Sequence, residues 1–385
     1  MGLLAGCTTM MPEIDPAPIP TPSAPPATPA AVPASAPAAT SSPPAAAASV
    51  HLRPASRWVA VGFEALPDWS ADRSAQLWPA LLQGCQRPAP VWAALCAEAL
   101  RQPPADDNAV RQWLMLRLQP YRVEALDGNA DGLITGYFEP RVEARRSPGG
   151  AYRVALHAPP ADLAARSPYW TRQQLDTVPA ARAALRGREI AYVADPLDAL
   201  MLQIQGSGRL VLRSGNGQVE TVRVAYAGHN GQPYASVGRW LVEQGQLKLD
   251  QASWPGIRQW ARNNPQRVQG MLWANPRVVF FREETLLDPQ SGPRGAQGVP
   301  LTPGRSIAVD PRSIPYGTPV WLDTTEPLSN TPLRRLVMAQ DTGSAIVGAV
   351  RADYFWGWEG DAEAQAGRMK QPLRLWVLWP RGATP

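Results

Sequence analysis

The chain has 385 residues, with 37 Lys and Arg against 32 Asp and Glu, giving a formal net charge of +5. No block of five or more like charges accompanies that mild basicity, so a nucleic-acid partner is not indicated. The three histidines, His51, His157 and His229, are scattered and lack metal-ligand spacing with the three cysteines, which disfavours a metal enzyme or a His-dependent triad.

The N-terminus reads Leu3-Leu4-Ala5-Gly6-Cys7, a bacterial lipobox pattern in which Cys7 is lipidated and becomes the first mature residue. Only six residues precede Cys7 and none is basic, so the leader is read as truncated, with its true start upstream. From Pro12 to Val50 there are 12 prolines and 13 alanines in 39 residues. Such a segment has little to bury and few backbone donors, which predicts an extended tether over residues 8–55 reaching on the order of 100 Å. The expected arrangement is a lipid-anchored protein whose globular part works away from its membrane.

Roughly 335 residues remain, enough for two domains or one large domain with an insertion. Residues from about 75 to 125 carry helical apolar spacing. Cys85 and Cys96 fall within them; they either close a small disulfide loop or remain two thiols on a helical segment. Gly132–Pro140 reads as a strand closing on a Glu-Pro turn, and Ala151–Leu156 as another strand. Helix signals follow around Thr171–Arg188. Asp195-Pro196 then makes an N-cap and first-turn pair, opening a helix that Gly206-Ser207-Gly208 breaks. A hairpin is predicted from 209–213 and 219–224 around Gly215-Asn216-Gly217, followed by helices near 235–244 and 253–263 and a strand at 277–282. Short apolar strands at 305–309, 319–322, 335–339 and 373–379 close the chain and suggest a small barrel.

Three aspartates stand out among these last strands. Asp310 and Asp341 each fall where a buried strand ends, before the turn signals Pro311 and Gly343, and Asp353 follows in Arg351-Ala352-Asp353-Tyr354-Phe355-Trp356-Gly357. Turn-capping is the ordinary use of such residues. Carboxylates brought together raise one another's proton affinity, which is one way to make a general acid near neutral pH. No nucleophilic serine or cysteine is evident, and Gly206-Ser207-Gly208 follows a helix, unlike a G-x-S-x-G elbow. Carboxylates with the aromatics Tyr137, Tyr354, Phe355, Trp356 and Trp358 suit cleavage of a glycosidic bond.

Four segments carry a specific resemblance: Gly136–Pro140, Gln203–Gly208, Tyr226–Tyr234 and the three-aspartate region. Together they resemble the MltA family of membrane-bound lytic murein transglycosylases, and the C-terminal part resembles that family's three-aspartate (3D) domain. The resemblance implies a mainly β fold: a double-psi β-barrel domain with an inserted second β-rich domain and a groove between them for a peptidoglycan glycan strand. Barrel residues 56–157 and 289–385 and an insert of 158–288 are expected. The implied reaction cleaves the β-1,4 bond between N-acetylmuramic acid and N-acetylglucosamine and leaves 1,6-anhydromuramic ends, with no cofactor. Carried over by motif, Asp353 is the catalytic acid with Asp341 beside it, raising its pKa by like-charge repulsion, while Asp310 supports the barrel or the substrate. Tyr137, Gln205, Gly206 and Ser207, and the Thr342, Gly343 and Ala345 turn, are implied substrate contacts. The periplasmic face of the outer membrane and partnership in a wall-synthesis complex follow by the same analogy. Two other readings stand beside it: a two-carboxylate glycan hydrolase using Asp341 and Asp353, and a non-catalytic wall-binding lipoprotein.

Overall fold

The computed structural model describes residues 49–385 apart from Asn216. The lipobox Cys7 and the tether up to residue 48 lie outside the described residues. Within the segment read as tether, β1 (Val50–Leu52) already pairs with β2 (Arg57–Ala60). Three short helices follow, α1 (Trp78–Gly84), α2 (Ala93–Arg101) and α3 (Asp107–Arg117), the last capped by the Asp106 carboxylate. A disulfide joins Cys85 to Cys96 between α1 and α2, with Cα atoms 5.2 Å apart.

The stretch read as helical to 125 stops at 117. It passes into β3 (Leu118–Glu124), which pairs with β2 on one side and with a strand near the C-terminus on the other. β4 (Gly132–Tyr137) follows. The chain then crosses to a second sheet, through β5 (Arg141–Arg145), β6 (Val154–His157), α4 (Arg172–Thr177), α5 (Pro179–Leu185), β7 (Glu189–Val193) and α6 (Pro196–Gln205). The hairpin β8 (Ser207–Arg213) and β9 (Val219–His229) comes next, then α7 (Val237–Glu243), α8 (Trp254–Asn263), α9 (Val268–Trp273) and β10 (Val279–Thr285). This sheet runs β10-β9-β8-β5-β7-β6. The crossing therefore falls between Tyr137 and Arg141, not near 157. β5 alternates exposed and buried residues, and the partners of β5 and β6, namely β7 and β8, lie beyond 188.

The remainder returns to the first sheet as β11 (Ser306–Val309), β12 (Thr318–Thr325), β13 (Pro332–Asp341), β14 (Arg351–Phe355), α10 (Ala362–Arg368) and β15 (Lys370–Pro380). Six strands pair in a ring, β15-β12-β13-β11-β14-β4, which closes where Lys370–Leu373 of β15 pairs with β4. Two of the pairings, β11 with β13 and β14 with β4, are parallel. Nine of the fifteen tryptophans are buried, and Trp58, Trp92 and Trp379 meet edge to face where α2 covers the sheet. In the second unit of structure, α6 packs Ala199 and Leu202 against Leu210, Val222 and Val224.

Candidate active site

β11 brings the two later aspartates together. Ala308 faces Asp341 across the parallel pairing with β13 and Asp353 across the antiparallel pairing with β14. Asp353 in turn faces Thr135 on β4. Strand spacing of about 4.8 Å then puts the two aspartate Cα atoms about 10 Å apart. A bulge sets this register: Ile307 faces Ala339, but Ala308 faces Asp341, and Gln340 is the extra residue. Gln340 is fully buried, accepting from Ser306 Oγ at 2.7 Å and donating to Ala80 O at 2.8 Å. Tucking Gln340 inward leaves Asp341 at the strand's open end.

The two carboxylates are held differently. Asp341 Oδ1 accepts from the Ala296 backbone N–H at 2.9 Å, and Oδ2 accepts from the Tyr137 hydroxyl at 3.0 Å. Asp353 Oδ1 accepts from Thr135 Oγ1 at 2.5 Å, and that hydroxyl accepts from Arg351 Nη2 at 2.9 Å. Asp353 Oδ2 has no hydrogen-bond partner among the described residues. Period-two alternation puts Thr135 and Tyr137 on one face of β4, and Arg351 and Asp353 on one face of β14. Between the first two sits Gly136, where a Cβ would come within 2.8 Å of both Ala366 Cα and Trp356 Nε1. Only glycine lets the strand lie that close to α10.

Both aspartates keep some access to solvent, yet protein hems them in, and each pKa rises from 3.8 to about 6. Burial is the main cause for both. For Asp353 the Thr135 hydrogen bond and the Arg351 charge oppose the rise, and the Asp341 charge adds the smallest contribution. Like-charge repulsion, expected above to raise Asp353, is thus secondary to desolvation. Tyr137 is pushed well above its ordinary value by burial and by both carboxylates, so its phenol stays protonated and donates.

The other residues singled out from the sequence are distributed as follows. Asp310 is buried, not open to a ligand. It accepts from the Arg312 N–H at 3.0 Å and the Gly348 N–H at 3.0 Å and pairs with the Arg312 guanidinium, contacts that lower its pKa. It braces the loop that runs from Asp341 to β14, a structural use and not a substrate contact. Gln205 ends α6, and its Oε1 accepts from the Phe138 N–H at 3.1 Å, tying α6 to the segment leaving β4. Gly206 takes the left-handed C-cap, φ 79°, where other residues are strained. Ser207 opens β8, half-buried. Thr342 and Ala345 are exposed and Gly343 is half-buried, with Thr342 Oγ1 donating to Val309 O at 2.8 Å. Of the aromatics beside Asp353, Tyr354 and Phe355 are core residues and offer no free face.

Sequence reasoning missed Thr135, Arg351 and Ala296. Thr135 had a signal: it lies two residues before Tyr137 in a segment already read as a strand. Arg351 stands in the same relation to Asp353, but β14 was not read as a strand. Ala296 contributes only its backbone, which no side-chain pattern reveals.

Comparison with known proteins shows what the chain is similar to. The family model described as the MltA specific insert domain matches residues 133–282, and that of the 3D domain matches residues 305–379. The lytic transglycosylase LtgG of Burkholderia pseudomallei is 45% identical, with 87% of this chain and 98% of that chain covered and a TM-score of 0.60. MltA from Neisseria gonorrhoeae is 31% identical over 89% of this chain and 97% of its own, with a TM-score of 0.74. Membrane-bound lytic murein transglycosylase A of Escherichia coli K12 is 28% identical over 288 residues, 70% of this chain and 74% of that protein. Its structure with bound chitohexaose is 25% identical over 86% of this chain and 94% of that chain, with a TM-score of 0.63. Two β-sheets, the first bringing a carboxylate at the end of β13 near one within β14, define the architecture. The chain belongs to the MltA family.

Proposed function

We propose that the protein is a peptidoglycan lytic transglycosylase in which Asp353 is the general acid and then the base. One observation carries this reading: Asp353 has a pKa of about 6, one oxygen held by Thr135 and the other uncommitted. A neutral carboxylic acid with a free Oδ2 can donate to the glycosidic O4 as the C1–O4 bond breaks. The muramic C6 hydroxyl attacks C1 of its own ring, so no protein nucleophile or water enters. Orientation of this intramolecular attack supplies much of the rate. Asp353, now a carboxylate, takes the C6 hydroxyl proton and is regenerated. The products are a 1,6-anhydromuramic end and a free C4 hydroxyl, and the sequence needs no cofactor.

Asp341, held by two donors, keeps Tyr137 and the Ala296 loop in register at the acid's side. The hydrolase reading asks more of it, namely to serve as nucleophile or base. The substrate class is supported by the relative crystallised with chitohexaose. We read the six-strand ring, with its two parallel pairings, as the double-psi β-barrel, and the space between the sheets as the glycan groove. Gln205, Gly206, Ser207 and the Thr342–Ala345 turn are then substrate-side residues.

A Cys7 lipid anchor on the periplasmic face of the outer membrane is part of the same proposal. Its supports are the lipobox, the Pro/Ala tether and a relative named membrane-bound; no helix among the described residues is long and apolar enough to cross a membrane.

The test is mass spectrometry of muropeptides released from purified sacculi by wild type and Asp353→Asn. Fragments lighter by one water than hydrolysis products, made by wild type alone, are expected. Reducing-end products would replace this reading with hydrolysis. Substantial turnover by Asp353→Asn would remove Asp353 from the acid role.

A further inference from the structure

β9 carries a second irregularity, outside the aspartate site. Phe280 faces Gly228 and Phe281 faces Tyr226, so Ala227 is the extra residue. Bulges re-aim the side chains around them. Here the flanking groups are Tyr226, 47% exposed, and His229, half-buried, with ring centroids 6.3 Å apart. Arg277 stands just before β10, and its charge acts on both rings. Arg277 Nε is anchored on Gln232 O at 2.8 Å. Its two terminal nitrogens have no hydrogen-bond or ion-pair partner among the described residues.

The cluster is dominated by donors, the Tyr226 hydroxyl oxygen being its one outward acceptor. His229 Nδ1 accepts from the Gly231 N–H at 2.9 Å, which leaves the proton of the neutral ring on Nε2. Burial, then the Arg277 charge, lowers the His229 pKa and keeps the ring neutral. Burial raises the Tyr226 pKa and keeps the phenol protonated. The outward groups are therefore the Arg277 Nη atoms, His229 Nε2–H and the Tyr226 hydroxyl. A sugar face presents donors and acceptors alike, whereas a carboxylate presents acceptors alone and binds a guanidinium through charge-assisted bonds.

The cluster also adjoins the substrate-side segment. Arg172 Nη2 donates to Gln203 Oε1 at 2.7 Å and to Arg277 O, linking it to the end of α6. Ser207 pairs with Ala225, the residue before Tyr226.

We propose that Tyr226, His229 and Arg277 form a carboxylate-binding site that takes a peptide stem of the glycan substrate. This rests on the glycan-cleaving reading above. The site would let the protein favour strands that still carry stems over bare ones.

The test uses the full chain as wild type, Arg277→Gln and Tyr226→Phe, each checked by thermal unfolding. Cleavage is compared on glycan strands with stems and on strands stripped by an amidase. Binding of an isolated stem peptide with free carboxylates is followed by calorimetry. The expected result is that wild type binds the peptide and prefers stem-bearing strands. Arg277→Gln should lower the ratio of kcat/KM for stem-bearing over bare strands about tenfold, the scale of a hydrogen bond to a charged group. Tyr226→Phe should lower it less, and it carries the test if Arg277→Gln unfolds. An unchanged ratio, or no peptide binding by wild type, overturns the proposal. Failure of wild type to cleave either strand would sink the transglycosylase reading alone. Peptide binding that Arg277→Gln abolishes would still uphold the carboxylate site.

Discussion

Thr135 offers the sharpest test of how Asp353 is tuned. Its hydroxyl donates to Asp353 Oδ1 at 2.5 Å and so stabilises the carboxylate over the acid. Thr135→Val keeps the shape and removes that donor. A hydrogen bond to a charged group is worth about 1.5–3 kcal/mol, and one pKa unit corresponds to about 1.4 kcal/mol. The Asp353 pKa should therefore rise from about 6 by roughly one unit or more. In the mechanism proposed above the acid form is the active one, so activity should fall as pH passes upward through this pKa. In Thr135→Val the falling limb of kcat/KM against pH should move to higher pH by about one unit, while Thr135→Ser, which keeps a hydroxyl, should follow wild type. The assay is release of anhydro-muropeptides from sacculi at half-unit pH steps. A limb that moves to lower pH would refute the reasoning outright. An unmoved limb with a uniformly lower rate would reduce Thr135 to a positioning residue.

Other consequences can be measured on stability. The folded-state pKa of Asp353, about 6, lies above its ordinary 3.8, so the folded chain binds the extra proton and stability falls as pH rises from about 4 to 6. Asp353→Asn should raise stability by about 1–3 kcal/mol at pH 8 and change little at pH 3.5, read from urea unfolding at each pH. Asp310 runs the other way: its pKa is lowered by Arg312, so it contributes stability at neutral pH that is lost as pH drops through the folded pKa. Asp310→Asn should thus destabilise at pH 7 and flatten the acid side of the profile. Reducing Cys85–Cys96, with a sequence separation of 11, should cost about 3 kcal/mol, visible as a lower Tm with reductant that Cys85→Ser reproduces without it.

Much of this was legible in local pattern. The N-cap and first-turn proline at Asp195-Pro196, the glycine stop at 206 and the apolar strands after 305 are short-range signals, and the structure has them. What escaped depended on partners distant in sequence. β3 reads as helix by extension of Val110–Arg117, although Pro120 marks a break there; that proline bars the helix without specifying a strand, and the strand state comes from β2 and β15. β5 and β6 were given to the wrong sheet because their partners lie beyond residue 188. At the site, the aspartates were visible as residue types, but the cause of their pKa was not. Burial depends on what β4, β13 and β14 stack around them, which no neighbour in sequence reports.

The two crossings between the sheets meet at one buried cluster of charges. Glu139 begins the outward crossing and is fully buried, with Arg209 and Arg223 from β8 and β9 only 5% and 6% exposed. Arg209 Nε meets Glu139 Oε2 at 2.8 Å, and Arg223 Nε meets Oε1. The same guanidiniums hold the return crossing, Arg209 Nη1 on Pro289 O at 2.6 Å and Arg223 Nη2 on Ser291 O at 2.6 Å. Arg209 also lies 4.0 Å from the Trp358 ring centroid, and the Glu139 N–H donates to Gly357 O at 2.8 Å, just beyond β14. One carboxylate therefore holds the two guanidiniums that grip the return crossing, while the Glu139 backbone N–H ties the outward crossing to the segment just after β14. Removing that carboxylate leaves two buried arginines facing each other, and breaking such a buried pair costs about 3–5 kcal/mol. Glu139→Gln should lower the unfolding midpoint sharply, with one charge lost but the side-chain shape kept. A midpoint within experimental error of wild type would mean that the crossings are held by backbone contacts alone.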